Sequence, residues 1–122
     1  MQVIEREQMQ VRIQGDGVDF RTLEVGGQTM AWVVLPKGAN LQPALKGLPG
    51  DTCQCPHWGV MLKGRLLMRT ADGEAVYSAG QPFYWGPGHA PEALEDCEYI
   101  DISPTDQLEA VIAHVTGAAA SR

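Results

Sequence analysis

No apolar stretch of this chain runs far before glycine, proline or an aspartate turn interrupts it. Short runs rich in β-branched and aromatic residues recur at Gln10–Ile13, Val18–Val25, Thr29–Leu35, Trp58–Leu62, Arg65–Thr70, Ala75–Tyr77, Phe83–Trp85 and Tyr99–Ile102. Such runs are too short for helices of ordinary length, and turn residues bound them, so they read as strands. Many short strands with turns between them predict an all-β double-sheet sandwich or barrel. The clearest hairpin is Arg65–Thr70, Ala71-Asp72-Gly73 and a return strand through Tyr77, because Asp-Gly supplies the positive φ that a tight turn needs. Pro36 to Asp51 holds three prolines and reads as one long loop, placed to lie over the mouth of the barrel.

One helix is expected, at the C-terminal end. Ser103 is read as its N-cap, Pro104 as its first residue, and Asp106 stands three residues past the cap. Leu108, Val111, Ile112 and Val115 follow at i, i+3, i+4 and i+7, a stripe that would pack on the sheet, and Gly117 is expected to end the helix. His114 falls between stripe residues in the last turn and is assigned to solvent, not to a ligand.

A chain of 122 residues suits one domain with a single core, taken as 1–122 with the barrel at about 29–104 and the helix at about 104–116. Fifteen acidic against nine basic residues give a net charge of −6, and the basic ones are scattered from Arg6 to Arg122. That argues against nucleic acid, which demands clustered cations, and against an anionic membrane surface. The longest apolar run, Met30–Leu35, is far too short to cross a bilayer, and the N-terminal residues show no secretory pattern. A cytoplasmic location with reduced thiols is the expectation, and three cysteines, an odd number, fit it better than a disulfide framework.

Chemistry concentrates in Asp51-Thr-Cys53-Gln-Cys55-Pro-His57-Trp58-Gly59. Residues 51, 53, 55 and 57 share parity, so on an extended segment their donors line one face, about 6.5–7 Å apart per pair, and a little curvature gathers neighbours around one ion. Cys53, Cys55 and His57 are the metal candidates. A redox-reactive thiol pair and plain packing are the rival readings. Cys97, isolated between Asp96 and Glu98, is assigned to packing.

A second cluster is Phe83-Tyr84-Trp85-Gly86-Pro87-Gly88-His89. A Gly-Pro-Gly turn fixes the exit of an aromatic strand, so His89 projects from a defined point, either as a metal ligand or as a solvated turn residue. Tyr84 and Trp85 lie on opposite faces of their strand, so only one can line an interior. With Trp58 they are the candidate substrate-binding aromatics.

Together the two clusters resemble the cupin superfamily of small jelly rolls. Its first motif, G-x5-H-x-H-x3-E-x6-G, closes on a glycine that Gly64 matches. Counting back puts His57 at the family's glutamate and Cys53 and Asp51 at its histidines. The second, G-x5-P-x-G-x2-H, matches Gly80, Gly86 in place of the proline, and Gly88, but Pro91 occupies the histidine position and His89 lies two residues early. The likeness spans about Thr29 to Pro104, and the Cys-Gln-Cys-Pro-His-Trp-Gly block looks like a distinct subgroup of small bacterial cupins. In the family, three histidines and a glutamate usually hold the metal. A set drawn from Cys53, Cys55, His57 and His89 is softer and implies zinc, iron, copper or nickel over manganese.

Three functions follow: a metal-dependent enzyme such as an oxygenase, isomerase or lyase with a small-molecule substrate in the barrel; a non-catalytic module that senses ligand, metal or oxidant; or a metal-free pocket for a sugar or acid. No catalytic acid or base can be named, since Glu92 and Glu95 read as surface residues. Open sheet edges at Gln10–Ile13 and Val18–Val25 suggest a homodimer.

Overall fold

A computed structural model describes the backbone of residues 1–120 and the side chains of residues 1–117. Nine strands precede one helix: β1 (Gln10–Gly15), β2 (Val18–Val25), β3 (Gln28–Leu35), β4 (His57–Lys63), β5 (Arg65–Thr70), β6 (Gly73–Ser78), β7 (Pro82–Trp85), β8 (Ala90–Ala93), β9 (Cys97–Pro104) and α1 (Thr105–Ala120). They form a six-stranded sheet in the order β1-β2-β3-β9-β4-β7 and a three-stranded sheet in the order β6-β5-β8. Every strand pairing within these two sheets is antiparallel.

Alternation along the strands builds the interior. In β3, Thr29, Ala31, Val33 and Leu35 are buried while their neighbours are not, and in β9 the same holds for Cys97, Tyr99, Asp101 and Ser103. The apolar members of these rows pack with Met61, Leu66, Met68, Phe83, Trp85 and Ala93 from the facing strands. Each full burial of a leucine-sized side chain contributes about 1.5–3 kcal/mol, so this shared core is what holds the two sheets together. Gly64, between β4 and β5, has φ +78°, and a Cβ there would run into the Asp96 carbonyl. That backbone crossing is the physical reason for a glycine at the close of the first motif.

The expected hairpin is β5–β6, with Thr70 opposite Gly73. One strand escapes the sequence pattern. Ala90-Pro91-Glu92-Ala93 has little β propensity and contains a proline, yet it is β8, an edge strand, where the missing N–H costs no ladder bond. The helix also differs from its expected limits. Pro104 closes β9, α1 begins at Thr105, and the helix runs through Gly117 to Ala120. Ser103 is therefore no cap; its fully buried side chain points into the barrel, where it serves the site described below.

The helix does not lie flat on a sheet. Leu108 and Ile112 cluster with Leu45, Cys53, Cys55 and Ala90, so α1 and the long loop after β3 together close one end of the barrel. That loop contains two short 3₁₀ turns, Gln42–Leu45 and Pro49–Asp51. Two polar contacts pin the helix. Arg12 of β1 makes a bidentate pair with Glu109 at 2.7 and 2.6 Å, and His114 Nε2 lies 2.8 Å from the Lys46 carbonyl, to which it donates. His114 thus holds the loop to the helix instead of standing free in solvent. Among the described residues, no helix is long and apolar enough to cross a membrane.

Candidate metal centre

Two backbone pairings bring the chemical residues to the closed end of the barrel. Cys53 and His89 form an isolated antiparallel bridge, with Cys53 N–H donating to the His89 carbonyl at 2.8 Å and His89 N–H to the Cys53 carbonyl at 3.2 Å. Gly88 N–H adds a second bond to the Cys53 carbonyl at 2.8 Å. His57 opens β4 opposite Trp85 at the end of β7. The Gly-Pro-Gly turn that follows Trp85 carries His89 back beside His57, and the two rings stand 4.9 Å apart, centre to centre. The two-residue offset from the family spacing is absorbed by that bridge.

One donor atom from each of Cys53, His57 and His89 lies within 4.8 Å of the other two, and all three residues are buried. Cys53 Sγ is 3.7 Å from His57 Nε2. The other nitrogen of each ring is already engaged. His89 Nδ1 sits 2.6 Å from the Gly86 carbonyl, which only accepts, so Nδ1 carries the proton and Nε2 keeps its lone pair. His57 Nδ1 lies 2.6 Å from Ser103 Oγ, which can accept from it in the same way. Orienting a ring through its far N–H is how metal-binding histidines are held. Burial also keeps both rings neutral: it pulls His57 down to about 3, with the nearby His89 adding to the effect, and it lowers His89 as well. Burial raises the Cys53 thiol to about 11, so without a cation it is a thiol; a divalent ion would take the proton's place. The donor set fits a borderline-soft transition metal.

Behind this trio lies a buried polar pair, Ser103 and Asp101. The Asp101 carboxyl is raised to about 7, chiefly by desolvation, with nearby Ser103 working against that rise. Asp101 Oδ2 is 3.8 Å from His57 Nδ1, too far for a direct bond, so the bond that orients the His57 ring is the one to Ser103. Ser103→Ala is accordingly expected to weaken metal affinity 10- to 100-fold with the ligands intact, measured by competition against a chelating dye.

The trio forms one wall of a cavity of about 410 Å³, within the usual range for small-molecule sites. Trp85, 3% exposed, lines it beside Tyr99 and Asp101. Trp58 and Tyr84 do not. They pair across β4 and β7 on the outer face, half-exposed and 5.1 Å apart, so of the three only Trp85 lines the cavity. Parity decided this: once His57 and Trp85 face in, their neighbours must face out. Cys55 is buried at the same end, but it does not join the close trio; its thiol approaches the Pro56 carbonyl at 3.6 Å. Asp51 is exposed and accepts from Gly47 N–H. Cys97 packs in the core with its thiol on the Arg65 and Glu95 carbonyls, and Glu92 and Glu95 pair with Arg69 and Arg65.

Asp101, Ser103 and Tyr99 are the site residues that the motif reading passed over. The signal was present: they continue the period-two inward row of β9 that begins at Cys97.

No family model and no curated protein matches the chain. Solved structures do. Ectoine synthase from P. lautus aligns with a TM-score of 0.62 at 12% identity, covering 85% of this chain and 78% of that one. An RmlC-like cupin from Shewanella frigidimarina gives 0.59 at 17% identity, covering 83% and 88%. KdgF from Halomonas sp. gives 0.59 at 19%, covering 82% and 92%. At such identities the likeness concerns architecture alone.

Proposed function

Starting from its cupin superfamily fold, we propose that this chain is a metal-dependent enzyme that holds a divalent transition metal on Cys53, His57 and His89 and acts on a small molecule in the adjoining cavity. The observation that carries this reading is the convergence of three buried donors at a cavity wall, both imidazoles having their second nitrogen fixed by an oxygen. An ion with three protein ligands keeps a position from which it can polarise a substrate oxygen or activate water or dioxygen. Around it the chain has its own tasks. Gly86 and Ser103 hold the rings, and the apolar wall from β2, β3 and α1 lines the adjoining cavity. Zinc, iron, copper and nickel suit one thiolate and two imidazoles better than manganese does.

The rival reading is a closed four-donor site in a sensing module, favoured by one feature: Cys55 is buried beside the same Ser103. Cobalt loading under anaerobic conditions separates the two. The expected spectrum has one thiolate band that Cys55→Ser leaves in place and that shifts when a small oxygen ligand is added. A band lost with Cys55, and blind to added ligands, would turn the assignment to the closed site. Anaerobic handling keeps the thiols off the oxidation ladder.

We also propose that the chain works in the cytoplasm and pairs as a homodimer through its open sheet edge at β1. Light scattering should return the mass of two chains at micromolar concentration.

A further inference from the structure

The lining of the cavity says what it can admit. Apolar side chains make up most of it, among them Val18, Phe20, Leu45, Leu108 and Ile112. No lysine or arginine is among the described residues that line it, and the Asp16 carboxylate has the sign that repels anions. In the metal-free protein a carboxylate or phosphate ligand would enter without a cation to meet it. A sugar would fare little better, because most of its hydroxyls would face carbon, and each polar group buried without a partner costs about 1–3 kcal/mol.

Against this apolar wall, two buried side-chain atoms lack a hydrogen-bond partner: Trp85 Nε1 and Asp101 Oδ1. Both residues line the cavity, with 3% and 4% exposure, but the two atoms themselves have almost no open surface, so a ligand meets them only with a small shift of these side chains. One atom is an obligate donor and the other a carboxyl oxygen, and both residues neighbour His57. Trp85 meets its ring edge-on at 6.4 Å, and Asp101 Oδ2 lies 3.8 Å from its Nδ1. Buried polar atoms in native proteins nearly always have partners, and when no protein group serves, water or a ligand does. The polar end of the cavity is thus the end that holds the metal trio, and the far side is greasy.

We propose that the cavity takes an uncharged, largely apolar alcohol or phenol, its polar end against Trp85 Nε1 and Asp101 Oδ1 and its hydrocarbon body against Phe20, Leu45, Leu108 and Ile112. At the volume that one liquid water occupies, 410 Å³ holds roughly a dozen non-hydrogen atoms, the size of a substituted phenol or a short terpenoid alcohol. This inference rests on the reading of the cavity as the working pocket, and it deepens that reading by naming the ligand class.

The test uses 4-tert-butylphenol, its carboxylate counterpart 4-tert-butylbenzoate, and myo-inositol as a polyol. Binding to the full chain is followed by calorimetry and thermal shift, with and without cobalt. The phenol is expected to bind both forms and raise the melting temperature, while the benzoate and inositol bind the cobalt-free form at least tenfold more weakly. Trp85→Phe and Asp101→Asn should each weaken phenol binding roughly three- to tenfold. The unliganded melting temperature of each variant separates a lost contact from a damaged fold. Benzoate or inositol binding the cobalt-free form as tightly as the phenol overturns the proposal. So does failure of the phenol to bind either form, or phenol affinity that neither substitution changes, in which case water alone serves the two atoms. Phenol binding by a protein that takes up no cobalt would remove the metal reading and leave this one standing; a normal cobalt–thiolate band with no phenol binding would do the reverse.

Discussion

Replacing His57 by alanine is expected to lower metal content sharply, and Cys53→Ser to do the same while also removing the cobalt–thiolate band, since each leaves two donors of the three. His57 is the middle of the trio: its Nε2 faces Cys53 Sγ and its ring faces His89, so its loss leaves Cys53 and His89 as a two-donor remnant. Two ligands hold a divalent ion far less tightly than three, because the ordering cost is already met when the third donor joins. Elemental analysis of anaerobically purified protein checks this, with Cys97→Ser as the control that should change nothing, its thiol lying in the core on backbone carbonyls. Undiminished metal in His57→Ala would place the ion elsewhere and end the enzyme proposal in this form.

The second large effect is on folding. Gly59 sits in β4 directly opposite Asp101 of β9. A Cβ there would overlap the Ile100 carbonyl oxygen and lie 2.6 Å from Phe83 Cζ and 2.8 Å from Asp101 Cβ. The nearest of these is backbone of the paired strand, which cannot step aside without opening the β4–β9 ladder. Gly59→Ala should therefore cost about 3 kcal/mol or more, seen as a melting temperature lower by roughly 10 °C, or as insoluble protein. Gly26→Ala is the contrasting case: Gly26 has a positive φ, as Gly59 does not, and a Cβ there meets nothing within 4 Å, so backbone strain acts there without any clash. Equal melting temperatures for Gly59→Ala and wild type would refute the packing argument.

How far the fold can be read in advance depends on which forces set each element. Strands built from β-branched and aromatic residues, such as Val18–Val25 and Gln28–Leu35, are legible because the pattern and the pairing agree. β8 is not, since Ala90-Pro91-Glu92-Ala93 is recruited by a neighbour, Met68 lying opposite Pro91, against its own propensities. Ser103 shows the opposite failure: the local pattern Ser-Pro-x-Asp is a good helix start, but tertiary contact with His57 claims the serine and moves the helix to Thr105.

The site divides similarly. Alternation places Cys53, Cys55 and His57 on one buried side, as the sequence predicts, yet only the bridge to His89 decides which thiol meets the imidazoles. His89 is out of frame by two residues in the motif and in place in space, because distance along a turn is not distance through the fold. Trp58 and Tyr84 illustrate a limit of parity: it says that neighbours face opposite ways, and only the core can say which way is inward.

The manner in which α1 closes the barrel bears on timing. The helix follows all nine strands in the chain, so during synthesis the container stands uncovered until that segment docks through Leu108, Ile112, the Arg12–Glu109 pair and His114. Once docked, α1 and the loop leave the cavity partly open, so they narrow the route in and out without sealing it. How firmly that segment is held then sets how fast a ligand exchanges.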